Sequence, residues 1–198
     1  MNIYTDRAAY VLGFHGCDQS VADKVLNSHS EHLKPSENDY DWLGSGIYFW
    51  LNDPVRALEW AKVAQARNPN NIKKPAVIGA ILDLKVCLNL LERDCIDTLK
   101  EGYSLFKGAV SISEDLQNKT PDKGGFHLLR YLDCAVINYT YSILESKGMP
   151  FDSVMGAFQE SSPAFEGSDI LEKTHIQICI RNKDCILGYF LPRDEKET

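Results

Sequence analysis

Apolar and polar residues change their spacing several times along this chain, and each change marks an element. Tyr10-Val11-Leu12-Gly13-Phe14-His15 is an apolar run that predicts a short strand ending at Gly16. Ser20 to Ser28 places apolar residues at Val21, Ala22, Val25 and Leu26, a helical stripe with Ser20 as its cap. His29 to Asp41 is polar and broken by Pro35, Asn38 and Asp39, which predicts a loop. Gly46-Ile47-Tyr48-Phe49-Trp50 predicts a strand. Asn52-Asp53-Pro54 then announces a helix over Pro54–Arg67, with Asp53 as the cap and Pro54 at the first helical position. The longest apolar run, Ala76 to Leu84, is continuous rather than alternating, the mark of a strand buried on both faces.

The middle, Glu92 to Gly148, reads as helical. Leu128, Leu129, Leu132, Ala135, Val136 and Tyr139 form one stripe, which turns Asp133 or Asn138 outward. Phe151 to Ile170 carries Gly156, Pro163 and Gly167 and predicts a loop or a short strand pair. In His175-Ile176-Gln177-Ile178-Cys179-Ile180 the isoleucines alternate onto one face, so His175 and Gln177 share the other. Asn182-Lys183-Asp184 makes a turn, and Cys185 to Leu191 a final strand. Strands flank a helical middle without a βα repeat, so the expected class is α+β, as a single domain over residues 1–198.

Composition narrows the setting. A hydrophobic content of 44% and a charged content of 25% suit a globular protein able to bury its own core. No apolar run approaches the roughly 18 residues of a membrane span. Met1 to Tyr10 contains Asp6 and Arg7 and lacks an apolar signal core, so a cytoplasmic location is expected. The six cysteines follow no zinc or disulfide framework, and several sit inside apolar runs, where a thiol behaves as a small hydrophobe. A net charge of −7 argues against an extended, sequence-blind grip on nucleic acid, though not against a local groove. Lys73-Lys74 with Arg67, and Arg181 to Lys183, are modest basic clusters that read as solvated loops.

No phosphate-binding Walker loop or Rossmann glycine fingerprint is present, because Gly44-x-Gly46 precedes a strand rather than a helix. No histidine pair has metal-ligand spacing on a supporting element, and no metal is expected. Two short segments stand out instead. Gly13-Phe14-His15-Gly16 puts a histidine at a strand end beside a glycine that lets backbone approach a ligand. Gly44-Ser45-Gly46-Ile47-Tyr48-Phe49-Trp50 puts glycines and then aromatics just before a helix. Together they suggest one pocket for a flat ring with a polar edge.

The order Gly-Phe-His-Gly, Gly-Ser-Gly-Ile-Tyr-Phe, a helix containing Ala57-Leu58-Glu59-Trp60, the apolar strand Ala76 to Leu84, and a late strand with a polar residue facing inward resembles the ADP-ribosyltransferase superfamily. It is similar to the branch of diphtheria toxin and the poly(ADP-ribose) polymerases, named for a His-Tyr-Glu triad. The likeness runs from about Gly13 to Leu84 and from about Lys173 to Phe190. It implies split antiparallel sheets with flanking helices, NAD as substrate, and transfer of ADP-ribose to a macromolecular acceptor, protein or nucleic acid. It further implies that the Gly16 backbone holds the nicotinamide carboxamide and that His15 bonds a ribose hydroxyl. Tyr48 would stack on the nicotinamide, Trp60 would cover its other face, and Tyr40 would lie toward the adenosine. A compact transferase of this kind suits a toxin of a toxin–antitoxin or phage-defence system, restrained by an antitoxin or other inhibitor protein.

The sequence departs from the pattern at the third triad position. Counting back from Tyr189, the matching residue is Gln177, which can hydrogen-bond ribose but carries no charge and cannot deprotonate an acceptor. Chain elongation is therefore not expected. Transfer of a single ADP-ribose, completion of the site by a loop carboxylate, or binding without turnover remain, as does hydrolysis of NAD by the same pocket. Glu160 is the first loop candidate, with Glu166 and Glu172 behind it. His175 shares the face of Gln177 and is a further ligand-contact candidate.

Overall fold

The computed structural model describes residues 10–120 and 128–193, so the first nine residues of the unmarked N-terminal stretch and residues 121–127 of the helical middle lie outside it. The class is α+β. In chain order the strands are β1 (Val11–Asp18), β2 (Ile47–Leu51), β3 (Pro75–Leu82), β4 (Cys87–Asn89), β5 (Ser153–Phe158), β6 (His175–Ile180) and β7 (Ile186–Phe190). The helices are α1 (Gln19–Leu26), α2 (Pro54–Arg67), α3 (Arg93–Ala109) and α4 (Tyr131–Ser146). They divide between two compact units, one of residues 1–33, 49–84 and 183–198, the other of residues 34–48 and 85–182.

In the first unit β1 lies between β2 and β3, and β7 borders β3, with every pairing antiparallel. The two sides of β1 differ. Its ladder with β3 runs the whole strand, from Val11↔Leu82 to Asp18↔Pro75, whereas its ladder with β2 consists of Gly13↔Leu51 and Phe14↔Trp50. His15 and Gly16 are consequently inside β1 rather than at its end, because β3 carries the pairing on to Asp18. Across that extension every second residue turns its N–H and C=O away from β3.

The continuation is secured at Asp18. This carboxylate caps α1 through Ser20 N–H at 3.0 Å and also accepts from the backbone N–H groups of Lys73 (2.7 Å) and Lys74 (2.9 Å). Ser20, the expected cap, instead donates its hydroxyl to the same carboxylate at 2.5 Å. Helix α2 begins as its sequence predicts, with Asp53 accepting from Arg56 N–H at 2.8 Å and Pro54 in the first turn. It lies against β1 so closely that a Cβ built on Gly16 would sit 2.1 Å from the carbonyl oxygen of Ala57. Phe14, Trp50 and Ala57, with Val77 and Phe190 against them, form the core here.

In the second unit β4 and β5 are parallel and β5 and β6 antiparallel. The core gathers Leu43, Leu88, Ile137, Phe151, Val154, Phe158 and Cys179 beneath α3 and α4. β4 is too short to show a period in sequence and is defined by its pairing with β5. The stripe that predicts a helix from Leu128 begins too early: α4 starts at Tyr131, and Leu129 instead bridges Lys119. β6 is buried on both faces, which leaves His175 and Gln177 buried beside the expected apolar positions.

Two outcomes follow from these contacts. Gly16→Ala overpacks the β1–α2 contact and should cost about 1–3 kcal/mol in urea unfolding; an unchanged midpoint would show that α2 can withdraw freely. The hydrogen bonds to Asp18, that from Lys74 N–H foremost, hold its carboxyl well below the ordinary carboxylate range. The stabilisation is therefore present above the unfolded-state value near 4 and fades as pH falls through the range below it. Asp18→Asn should flatten the acid limb of a plot of Tm against pH, and a limb of undiminished slope would contradict this.

Candidate functional site

Hydrogen bonds hold the segment from Leu43 to Tyr48 at both backbone and side chains. The Tyr48 hydroxyl donates to Gly44 O at 2.7 Å and accepts from Leu43 N–H at 2.8 Å, closing the loop onto the ring that follows it. The Cys179 thiol of β6 donates to the same Gly44 carbonyl at 3.6 Å. Ser36 and Gly46 exchange backbone hydrogen bonds of 2.7 and 3.0 Å. Both glycines are required by this geometry. Gly44 has φ of +76°, and a Cβ there would meet Asn138 Oδ1 at 2.6 Å; Gly46 has φ of +156°, and a Cβ there would meet Cys179 Sγ at 2.5 Å. Burial is the main cause of a Tyr48 phenol pKa far above the ordinary value, so the group stays a neutral hydrogen-bonding hydroxyl.

Ser45 and Asn138 carry more than the sequence suggests. Ser45, which reads as a simple turn residue, donates its N–H to Asn138 Oδ1 at 3.0 Å, and Asn138 Nδ2 donates back to Ser45 Oγ at 3.2 Å. Asn138 thus points inward from α4 instead of outward. Arg181, which reads as part of a solvated basic cluster, is half-buried and donates through Nη2 to Asn138 Oδ1. Its guanidinium carbon lies 4.4 Å from the ring centre of Tyr141 and 5.5 Å from that of Phe151. Desolvation lowers its pKa from the usual arginine value. No periodicity marks Asn138 or Arg181, since each is specified by a partner far along the chain.

A second polar group sits on β6. His175 Nδ1 lies 2.7 Å from Lys173 O, a carbonyl that can only accept, so Nδ1 carries the proton. Nε2 is then the acceptor for the Gln177 amide at 3.0 Å. Glu160 Oε1 is 3.7 Å from the same Nε2, with its side chain only 17% exposed. The loop acid that the sequence places first is therefore the one beside His175, and through it beside Gln177. Glu166 is exposed, and Glu172 accepts from Ser161 Oγ at 3.2 Å. Trp42 lies nearly parallel to His175, ring centres 6.2 Å apart, and contacts Phe158 at 4.7 Å. The Arg130 guanidinium lies 4.4 Å over Trp42 and 4.8 Å over Phe158. Burial lowers its pKa, opposed by the charges of Asp133 and Glu160. The sequence does not single out Trp42 or Arg130, because one follows a polar loop and the other stands immediately before a helix.

The remaining expected site residues have these surroundings. His15 lies 5.9 Å from Phe49, edge to face, and Gly16 lies under Ala57. Trp60 is 42% exposed and 5.9 Å from Trp50. These three belong to the first unit; Tyr40, Tyr48, Glu160 and Gln177 belong to the second. Tyr40 meets Tyr131 edge-on at 5.8 Å and accepts at its carbonyl from Arg130 N–H. A hollow of about 520 Å³ lies along the same helix, lined among others by Asp39, Lys119, Tyr131, Cys134 and Asn138; it contains none of the expected catalytic residues. Among the described residues no group of three His, Cys, Asp or Glu side chains could hold a metal, and no helix is long and apolar enough to cross a membrane.

Comparison with known proteins adds one relative. An uncharacterized protein of Methanocaldococcus jannaschii is 28% identical over 191 residues, an alignment covering 87% of this chain and 83% of that protein. No family model matches the chain. No solved structure matches it either.

The cysteines supply a check on this region. All six are free thiols, and burial pushes Cys179 up to about 12 and Cys134 and Cys87 up to about 11. Thiolate is the species that alkylates, so iodoacetamide at pH 8 should leave Cys179 unlabelled in the native protein and label it only after unfolding. Rapid native labelling of Cys179 by peptide mass spectrometry would show that the Gly44 contact opens readily.

Proposed function

We propose that this chain is an NAD-dependent mono-ADP-ribosyltransferase. The observation that carries the reading is the state of the Gly44–Tyr48 segment, the most distinctive part of the resemblance. It is not loose packing material but a fixed loop and strand, with the Tyr48 hydroxyl consumed by Gly44 and Leu43 and the ring orientation set by those two bonds. Stacking on a ring oriented in this way would cost little entropy.

The reaction asks little acid–base work of the protein. The bond from ribose C1′ to the nicotinamide nitrogen breaks, and nicotinamide leaves as a neutral base with the bonding pair. An acceptor lone pair forms the new bond to C1′, and the acceptor proton passes to a base or to water. Positive charge develops on the ribose as in glycoside cleavage. In this reading Gln177 hydrogen-bonds ribose, and Glu160 supplies the negative charge and the proton acceptor that Gln177 lacks. His15 orients the adenosine ribose, and Trp60 and Tyr40 contact the dinucleotide. A second reading, binding of NAD without turnover, is favoured by one feature: the Gln177 amide is already engaged by His175.

The deciding experiment incubates the protein with labelled NAD and cell lysate and separates free nicotinamide, labelled protein, labelled nucleic acid and free ADP-ribose. Wild type should label a macromolecule. Tyr48→Ala should lower the rate about a hundredfold through lost positioning, and Glu160→Gln should lower it without a comparable loss of NAD affinity. Free ADP-ribose without labelled macromolecule would replace transferase by hydrolase. Bound, unconsumed NAD would replace it by a binding module.

A further inference from the structure

The helical middle of the chain, which lies outside the stretches that carry the resemblance, makes its polar contact with the Gly44–Tyr48 segment through Asn138, beside the packing of Ile137 against Leu43. Asn138 on α4 reads Ser45 at both its backbone N–H (3.0 Å) and its hydroxyl (3.2 Å), in the two-point manner that fixes orientation as well as distance. Its amide nitrogen also meets Cys134 Sγ at 3.5 Å, one helical turn earlier. Its oxygen receives Arg181 from the end of β6. Three separated stretches of chain therefore meet on one carboxamide: the loop before Tyr48, α4, and the residue after β6.

We propose that Asn138 is a positioning residue for the nicotinamide-facing loop, acting through Ser45 on Gly44 and Tyr48. This rests on the reading of the Tyr48 segment as an NAD site, and it assigns the helical middle a role in that site. The chemistry explains why asparagine is needed. Ser45 N–H requires an acceptor and Ser45 Oγ a donor, and a carboxamide offers both from one rigid plane. Arg181 needs the same oxygen: it packs on Tyr141 and Phe151, and its buried Nε makes no hydrogen bond among the described residues. Removing the carboxamide frees Ser45 and leaves a desolvated guanidinium without that acceptor. Gly44, left-handed and closely surrounded, is the position where such a release is felt next. An aspartate keeps the acceptor for Ser45 N–H and pairs with Arg181, losing only the donor side.

The test compares wild type, Asn138→Ala and Asn138→Asp by amide hydrogen exchange and by steady-state NAD consumption. Exchange over residues 43–48 should quicken about tenfold or more in Asn138→Ala, the loss of one or two hydrogen bonds, while exchange in β3 stays as in wild type. KM for NAD should rise about tenfold with kcat little changed, and Asn138→Asp should recover most of it. Unchanged exchange at Ser45 in Asn138→Ala would overturn the proposal. So would a uniform rise across the second unit that Asn138→Asp does not reverse, since that marks a role in stability alone. An altered loop in an active enzyme whose KM is unmoved would overturn it as well. A wild type that neither binds nor consumes NAD defeats the functional reading and with it the nicotinamide role, whereas exchange at Ser45 reports separately whether the clamp exists.

Discussion

A buried polar atom must find its partner within the protein, and around the Gly44 carbonyl that requirement organises much of the second unit. One oxygen receives a phenol from the strand that follows and a thiol from β6. The neighbouring Ser45 is satisfied from α4, and α4 in turn accepts from one guanidinium nitrogen of Arg181. None of these groups titrates near neutrality: the phenol and thiols are pushed up by burial, and Arg181 remains a cation despite its desolvation. The loop is thus held by fixed donors and acceptors, the kind of environment that orients a substrate without reorganising. Such a network is costly when only partly satisfied, which favours its being either complete or absent.

Charge on β6 is arranged differently. Gln177 is neutral, His175 is fixed in one tautomer by Lys173, and the negative charge comes from Glu160 in the preceding loop. A carboxylate carried by a loop can be moved or shielded independently of the strand, whereas one on the strand cannot. Arg130, stacked on Trp42 and Phe158, adds a cation within the influence of Glu160. In the proposed transferase this separates the hydrogen-bonding role of the third triad position from its electrostatic role.

What could be read from the chain alone was whatever local chemistry decides. Asp53-Pro54 announced α2 because a cap and a first-turn proline act within four residues, and the structure begins the helix there. The alternation over His175–Ile180 gave β6 its bounds because a two-residue period needs only the strand itself. Asp18 was not legible as the cap of α1, since its strength comes from Lys73 and Lys74, more than fifty positions later. β4 escaped because three residues carry no period. Asn138 looked outward-facing for the opposite reason: helical periodicity assigns polar residues to solvent and cannot represent a polar partner brought in by a loop. The order of motifs singled out the Gly44–Trp50 segment for its glycines and aromatics but not for its backbone, where Gly44 takes a left-handed conformation. It said nothing of how the loop would be held, which depends on tertiary partners.

The first unit is assembled from stretches that the chain delivers at very different times. β1 leaves the ribosome early, β3 some sixty residues later, and β7 only after the whole of residues 85–182 has been made. The second unit draws most of its length from that one uninterrupted stretch. Synthesis from the N-terminus therefore delivers the whole second unit before β7, and β3 keeps one unpaired edge until β7 arrives. His15 and Gly16 lie on β1, the other neighbour of β3. A protein built in this order can complete its first-unit sheet only once β7 has been made, so a nascent or truncated chain lacking β7 carries the motif without the finished sheet that supports it.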